Sequence, residues 1–353
     1  MRLFLLSDCS SHIPRIVVLQ KILDIINAGK ASAHLHYYIV GDYFPTFYQD
    51  AYEAHPNVTL LKKYSAEKLI TEVTNAIVIH FGSSFKGSQQ FPQYFIPLSG
   101  PGLVPNSTLL QRLQTWITFK RFIKNATSVF ATHTWTENYL QSHFPKNRDT
   151  LQNAFLPISG LPQLEWVSIS AAKQELTHGA DYFLAFMTVD HFVHTLKEFS
   201  IFKKWQHTSM ACVFVWDTPQ QIDQALKLQK GYKYRDAIVH TLIQDLSMEE
   251  LAGTYAIIWG QAHFDKVPWM EWAINFKIPM MLDAANTISD SFSNAGEIFN
   301  FHESAALSNH FKLYYKDEVY RQTRANIASQ WYETYQKEYA NNNPVRIPID
   351  LHS

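Results

Sequence analysis

The stretch Ala256-Ile257-Ile258-Trp259-Gly260-Gln261-Ala262-His263-Phe264-Asp265-Lys266-Val267-Pro268-Trp269-Met270-Glu271-Trp272-Ala273 decides the fold class. Four apolar residues, Ala256 to Trp259, make a short run suited to a strand buried on both faces. A polar loop follows, and Val267 to Asn275 then carries a helical pattern opened by Pro268, a residue tolerated in a first turn. Pro279 to Asp283 reads as the next strand. Strand, loop, helix and strand in that order form a βαβ unit, which belongs to a parallel sheet.

The same alternation extends in both directions. In the N-terminal half, strands are expected at Arg2 to Ser7, His36 to Val40, Val58 to Leu61, Ala76 to His80, Tyr94 to Leu98 and Ser128 to Ala131, six in all. Helical patterns lie at Ile13 to Asn27, Ala66 to Asn75, Leu109 to Lys124 and Trp135 to His143. In the C-terminal half, further strands are expected at Tyr182 to Phe186, Ala211 to Trp216 and Ala237 to Thr241. Helices are expected at Thr195 to Lys204, Pro219 to Leu228, Met248 to Thr254, Ser304 to Tyr314 and Val319 to Tyr339. Ser247-Met248-Glu249-Glu250 has the form of a capping box. Phe155-Leu156-Pro157-Ile158-Ser159-Gly160-Leu161-Pro162 punctuates the pattern, which places a domain boundary near Ser159.

A chain of 353 residues exceeds what one hydrophobic core usually serves, so two α/β domains are expected. Hydrophobic residues at 46% with charged residues at 17% exclude disorder as the dominant state. A formal net charge of -1 argues against a surface built to neutralise a nucleic-acid backbone. Two cysteines, Cys9 and Cys212, make neither a disulfide framework nor a zinc spacing, and a reducing, cytoplasmic location is expected. No apolar run is long enough to span a bilayer, so membrane contact would be peripheral.

Several familiar motifs are missing. There is no Gly-x-x-x-x-Gly-Lys-Ser/Thr loop, no dinucleotide fingerprint, no Gly-x-Ser-x-Gly and no Asp-x-Asp triplet. ATPase, dehydrogenase, serine hydrolase and metal-clamped transferase chemistries lose support accordingly. His191 and His194, three residues apart, could share a helix face and bind a metal, but without a third ligand they read as a solvated pair at a helix start. Arg112, Lys120, Arg121 and Lys124 alternate with Trp116, Phe119 and Phe122. That segment reads as a core-packed helix with one solvated basic face, or as a helix laid against anionic lipid.

From Met248 to Glu297 the sequence resembles the donor half of family-4 retaining glycosyltransferases of the GT-B fold. The matching features are the strand Ala256 to Trp259, then Pro268, Glu271 and Ala273 in the helix start, then Gly296-Glu297-Ile298-Phe299. The resemblance implies two Rossmann-like domains facing across a cleft. An acceptor domain would cover 1–158 and a donor domain 159–325, with 326–353 a C-terminal helix returning toward the first domain, and a tail. It implies a sugar moved from a nucleotide-sugar co-substrate to a glycan or lipid-linked acceptor, with retention, no metal and no cofactor, and at most peripheral membrane contact.

Carried onto this chain, the resemblance makes Glu271 the ribose-binding carboxylate, suited to accept two hydroxyl hydrogen bonds. Gln261, Phe264, Asp265, Lys266 and Thr188 would line the nucleotide-sugar pocket. His263, standing where the family has its first motif glutamate, and His80, in Ile79-His80-Phe81-Gly82, would be the catalytic candidates. His80 and His133 read equally well as structural residues. The family's two loop glycines are Phe264 and Lys266 here, and its Gly-Arg after the first donor-domain strand is Met187-Thr188. The usual cationic clamp on the diphosphate is therefore missing, with Lys266 the nearest replacement in sequence. These departures leave a rival reading open, a catalytically silent relative that binds a glycan, a nucleotide or a partner transferase.

Overall fold

A computed structural model describes residues 2–7, 22, 36–40, 52–62, 65, 68–69, 72, 76–81, 93–96, 116–117, 119–121, 123–131, 140–145, 151–153, 164–243, 245–260, 267–285 and 292–342. The chain divides into two compact units. One comprises Met1–Gly160 together with Gln336–Ser353, and the other Leu161–Tyr335.

The first unit holds a seven-stranded sheet built from β1 (Arg2–Ser7), β2 (His36–Val40), β3 (Val58–Leu61), β4 (Ala76–Phe81), β5 (Gln93–Ile96), β6 (Ser128–Ala131) and β7 (Leu151–Asn153). Its order is β3-β2-β1-β4-β5-β6-β7 and every pairing is parallel. Residues 76–80 are all buried, as expected of a strand covered on both faces. The seventh strand corrects the count of six. Leu151-Gln152-Asn153 is three residues long and mostly polar, so it carries no periodic signal.

The second unit holds a six-stranded parallel sheet, ordered β10-β9-β8-β11-β12-β13. Its strands are β8 (Tyr182–Phe186), β9 (Ala211–Trp216), β10 (Ile238–Leu242), β11 (Ala256–Trp259), β12 (Met280–Asp283) and β13 (Glu297–Phe299). The helices, in chain order, are α1 (Trp166–Thr177), α2 (Val189–Gln206), α3 (Pro219–Leu228), α4 (Met248–Ala252), α5 (Val267–Asn275), α6 (Ala306–Lys316) and α7 (Glu318–Asn342). The last of these is continuous across the division between the units at Tyr335 and Gln336.

Strand alternation sorts the core of the second unit into two sides. Phe183, Ala185 and Met187 share a cluster with α2 and α6, where Phe183 lies 4.5 Å from Phe311 and 5.6 Å from Phe202. On the other side Phe186 stacks on Trp259 at 4.2 Å, its register partner across β8 and β11. Trp269 lies 6.2 Å from Phe186, and residues 269–274 of α5 are buried on every face. Edge strand β13 is tied to α7, where Arg324 meets Glu297 at 2.6 Å and Tyr320 donates to the same carboxylate at 2.5 Å. Among the described residues no helix is long and apolar enough to cross a membrane.

Candidate functional site

In open parallel sheets the strand order reverses at one place, and the crevice beyond the strand carboxyl ends there is where such sheets accept ligands. In the second unit that place lies between β8 and β11. Beyond β8, Met187 and Thr188 lead into α2; beyond β11 comes Gly260, whose N–H donates to Phe186 O at 2.9 Å. Thr188 is the N-cap of α2, with φ -82 and ψ 161, yet its side chain makes no capping bond. The starts of α3 and α4 differ. Thr218 and Ser247 each form a full capping box, with Gln221 and Glu250 respectively. Among the described residues, the first-turn amides of α2 are therefore left without a capping side chain from their N-cap at the strand reversal, where a helix N-terminus favours an anion.

His191 stands in this first turn. Its Nδ1 lies 3.2 Å from Gly260 O, and a carbonyl can only accept, so Nδ1 carries a hydrogen. Nε2 is then an acceptor when the ring is neutral and a donor when it is protonated. The ring stacks on Phe301 at 4.3 Å and 18°, and His194 meets the same phenylalanine edge-on at 5.5 Å. Phe301 also needs Gly260 to be a glycine, because a Cβ there would sit 2.9 Å from Phe301 Cε2 and 3.1 Å from Met187 Cβ. Behind this group, the buried Glu198 carboxylate accepts from the amides of Ala305 at 3.3 Å and Ser308 at 3.0 Å. It thus caps α6, whose own N-cap, Ala305, has no side-chain acceptor. The pair at 191 and 194 does stand at a helix start, that of α2 at Val189, six residues before the helical pattern read from Thr195; what is corrected is its solvation, since both imidazoles pack against Phe301.

The remaining sequence candidates are dispersed. Glu271 lies on α5 in the same unit and is 0% exposed; its backbone carbonyl accepts from Asn275 Nδ2 at 2.9 Å. A ligand can reach that carboxylate only if what covers it moves. His80 belongs to the first unit. It is buried near the carboxyl end of β4, in register with Leu6 of β1 and Phe95 of β5, which places it at that sheet's own strand reversal. Gln261, His263, Phe264, Asp265 and Lys266, which join β11 to α5 in sequence, lie outside the described residues, as does His133. The structure thus brings Thr188 together with His191, Gly260 and Phe301, three residues that sequence reasoning left out of the site. The available signal was the spacing of Thr188 and His191, three apart after a buried strand.

No family model matches the sequence, and no curated protein sequence matches it. Solved structures do match across the chain. HepE of Anabaena, in complex with UDP and glucose, is 11% identical with a TM-score of 0.61, the match covering 97% of this chain and 99% of that one. WaaG, a glycosyltransferase involved in lipopolysaccharide biosynthesis, is 11% identical at a TM-score of 0.60, over 98% of this chain and 100% of that one. Staphylococcus aureus MnaA with UDP is 14% identical at a TM-score of 0.57, over 99% and 97%. At these identities the likeness establishes the fold: the chain has the GT-B fold, with two Rossmann-like α/β domains.

Proposed function

We propose that the protein is a nucleotide-sugar-dependent glycosyltransferase whose donor is held by the second unit. The observation that carries this reading is the start of α2: uncapped amides at the β8/β11 reversal, with the His191 ring oriented beside them by Gly260 and Phe301. This arrangement suits the diphosphate of a nucleotide donor, and the HepE and MnaA structures carry UDP or UDP-glucose. In this reading Thr188 and His191 contact phosphate, and Glu271 takes the ribose once its cover opens. Gln261, Phe264, Asp265 and Lys266 complete the pocket. Lys266 supplies positive charge where the departing diphosphate gathers negative charge, and His191 adds to it when both of its ring nitrogens carry hydrogen. His263 is the catalytic candidate on the donor side and His80 on the acceptor side. Transfer is retaining and metal-independent, with the leaving diphosphate taking the proton of a glycan or lipid-linked acceptor.

One observation favours the silent-binder reading. The first turn of α2 carries the Asp190 carboxylate and no lysine or arginine, and that charge opposes a phosphate. Calorimetric titration with UDP, GDP, ADP and CDP, followed by a product assay with the corresponding sugar nucleotides, separates the two readings. Binding with turnover supports the enzyme. Binding without turnover across a broad acceptor set supports a silent nucleotide binder, and neither binding nor turnover supports a silent binder of a glycan or a partner transferase and removes the donor-site assignments. A nucleotide at a hundred times its dissociation constant should also raise unfolding stability by about 2.7 kcal/mol.

A further inference from the structure

The second unit buries a charge that its core does not call for. Where α2 packs on α6 the contacts are aromatic, with Phe199, Phe202 and Phe311 fully buried. Glu198 of α2 is only 4% exposed, and a buried carboxylate is costly unless it is well partnered. Its partners are the amides of Ala305 and Ser308, which lie 107 and 110 residues away in sequence. Capping α6 requires nothing so distant. A serine, asparagine or aspartate at position 305 would do it locally, whereas the alanine found there leaves the capping to α2.

The backbone that Glu198 holds is strained. Ala305 has φ 62 and ψ 6, a left-handed conformation unfavourable for a residue with a Cβ. Such conformations persist where the surroundings over-determine them. Here Ala305 N donates to Glu198 Oε1 at 3.3 Å, and Ala305 O accepts from Asn309 N at 3.0 Å and from Ser308 Oγ at 3.1 Å. The segment 300–305 therefore runs from the end of β13 to a point fixed by α2. Phe301, the ring on which His191 stacks, lies within it.

At about 100° per residue, His191, His194 and Glu198 fall within an arc of about 60° on one face of α2. All three bear on the same stretch of chain: His191 stacks on Phe301, His194 meets its edge, and Glu198 holds the amides beyond it. His194 Nε2 lies 4.0 Å from Glu198 Oε1, so the amides and not the imidazole hold the carboxylate. We infer that Glu198 is a positioning residue: by fixing the strained end of segment 300–305 it keeps Phe301 against His191 and so sets the His191 ring at the strand reversal. Glu198 thereby contributes to diphosphate affinity without touching the ligand. That consequence rests on the nucleotide-donor reading, whereas the placement of the ring does not.

NMR of the His191 ring, assigned with His191→Ala, and calorimetry with UDP and uridine test it on the full chain. In the unaltered protein, stacking on Phe301 should shift the His191 ring protons upfield. Glu198→Gln leaves one acceptor oxygen for two amides. It should move those signals toward their unstacked positions and weaken UDP binding about fivefold, with uridine affinity unchanged. Ala305→Gly, which takes the left-handed conformation without that penalty, should restore both when added to Glu198→Gln. In a His191→Ala background, Glu198→Gln should cause no further loss of UDP affinity, because Glu198 acts through that ring; independent structural damage would add instead. Unmoved His191 signals in folded Glu198→Gln, or additive losses in the double variant, would each overturn the inference. If Glu198→Gln does not fold, Glu198→Asp, which draws the carboxylate back from the amides by one methylene, is read by the same measurements with the same outcomes. Failure of the unaltered protein to bind UDP would end the donor reading alone, and the His191 signals would still decide whether Glu198 positions the ring.

Discussion

The two sheets share a strand order around their reversals, β3-β2-β1-β4-β5-β6 in the first unit and β10-β9-β8-β11-β12-β13 in the second, but they equip those reversals differently. At the first, aliphatic Ile77 and Ile79 lead to a buried histidine, His80. At the second, two stacked aromatics, Phe186 and Trp259, underlie a glycine, an uncapped helix and a half-buried imidazole. One topology therefore carries two different sets of side chains at its strand ends. The backbone sets where a ligand would enter, and a few side chains at the strand ends set what it would be.

The largest expected effect tests whether the aromatic pair holds the second reversal together. Trp259→Ala should cost about 3–5 kcal/mol in denaturant unfolding, from lost burial plus the cavity left behind. Trp259→Phe, which keeps a ring facing Phe186, should cost much less. A loss below about 1 kcal/mol for the alanine variant would mean that the stack is incidental and that the two reversals differ only in composition.

The corresponding edges of the two sheets offer a comparison through pH. In the first, His36 Nε2 pairs with Thr59 Oγ1 at 2.8 Å across β2 and β3. In the second, Trp216 donates to His240 Nδ1 at 2.9 Å across β9 and β10, and His240 Nε2 donates to Gln229 Oε1 at 2.7 Å. Burial lowers the His240 pKa from 6.5 to about 4, so the folded protein keeps this ring neutral where the unfolded chain protonates it. Its contribution is fully present above about pH 6.5 and is lost as pH falls toward about 4, at up to about 1.4 kcal/mol per pH unit. Stability measured across that window should show this slope, and His240→Gln should reduce it. An unchanged slope would place the acid sensitivity elsewhere.

Several features of the second unit were legible because they are backbone-level. β8, β9 and β11 lie where continuous apolar runs place them, and α3 and α5 have the expected bounds. Helix α1 escaped notice because only Thr177 of its twelve residues is buried, while Trp166 and Val167 face solvent; it has no apolar stripe to read. The helix start at His191 and His194 was legible, although the apolar pattern runs only from Thr195; His191 was left out of the site because its partners, Gly260 and Phe301, come from distant parts of the sequence. Nor does sequence reveal that Glu271 is closed to solvent. The residues around it, Trp269, Met270, Trp272 and Ala273, suit a buried helix, but a glutamate among them also suits a helix with one wet face. Side-chain enclosure depends on what packs from elsewhere in the chain.

Substitution of the two reversal histidines sharpens the functional side of the comparison. His191→Ala should weaken nucleoside diphosphate binding about tenfold or more, the scale of one hydrogen bond to a charged group, while nucleoside binding changes little. His80→Ala should leave diphosphate affinity unchanged and lower turnover. Calorimetry with UDP and uridine, alongside a product assay, reads both. Equal losses for UDP and uridine in His191→Ala would make its role structural, and a large loss of UDP affinity in His80→Ala would blur the division of labour between the reversals.

The smallest effect concerns two threonines at helix starts within the second unit. Thr218 occupies the N-cap of α3 and accepts from Gln221 N at 3.4 Å, with Gln221 Oε1 returning to Thr218 N at 3.1 Å. Thr188 occupies the N-cap of α2 with extended backbone and no such bond. Removing a working cap costs about 1 kcal/mol, so Thr218→Ala should lower unfolding stability by about that amount. Thr188→Ala should leave stability within about 0.5 kcal/mol, because no capping bond is lost. If the Thr188 hydroxyl instead serves a phosphate, the same substitution should weaken UDP binding several-fold while Thr218→Ala leaves it unchanged. Equal stability losses in the two variants would show that α2 is capped in solution like its neighbour. An unaltered UDP affinity in Thr188→Ala would leave the backbone amides, His191 and Lys266 to hold the diphosphate.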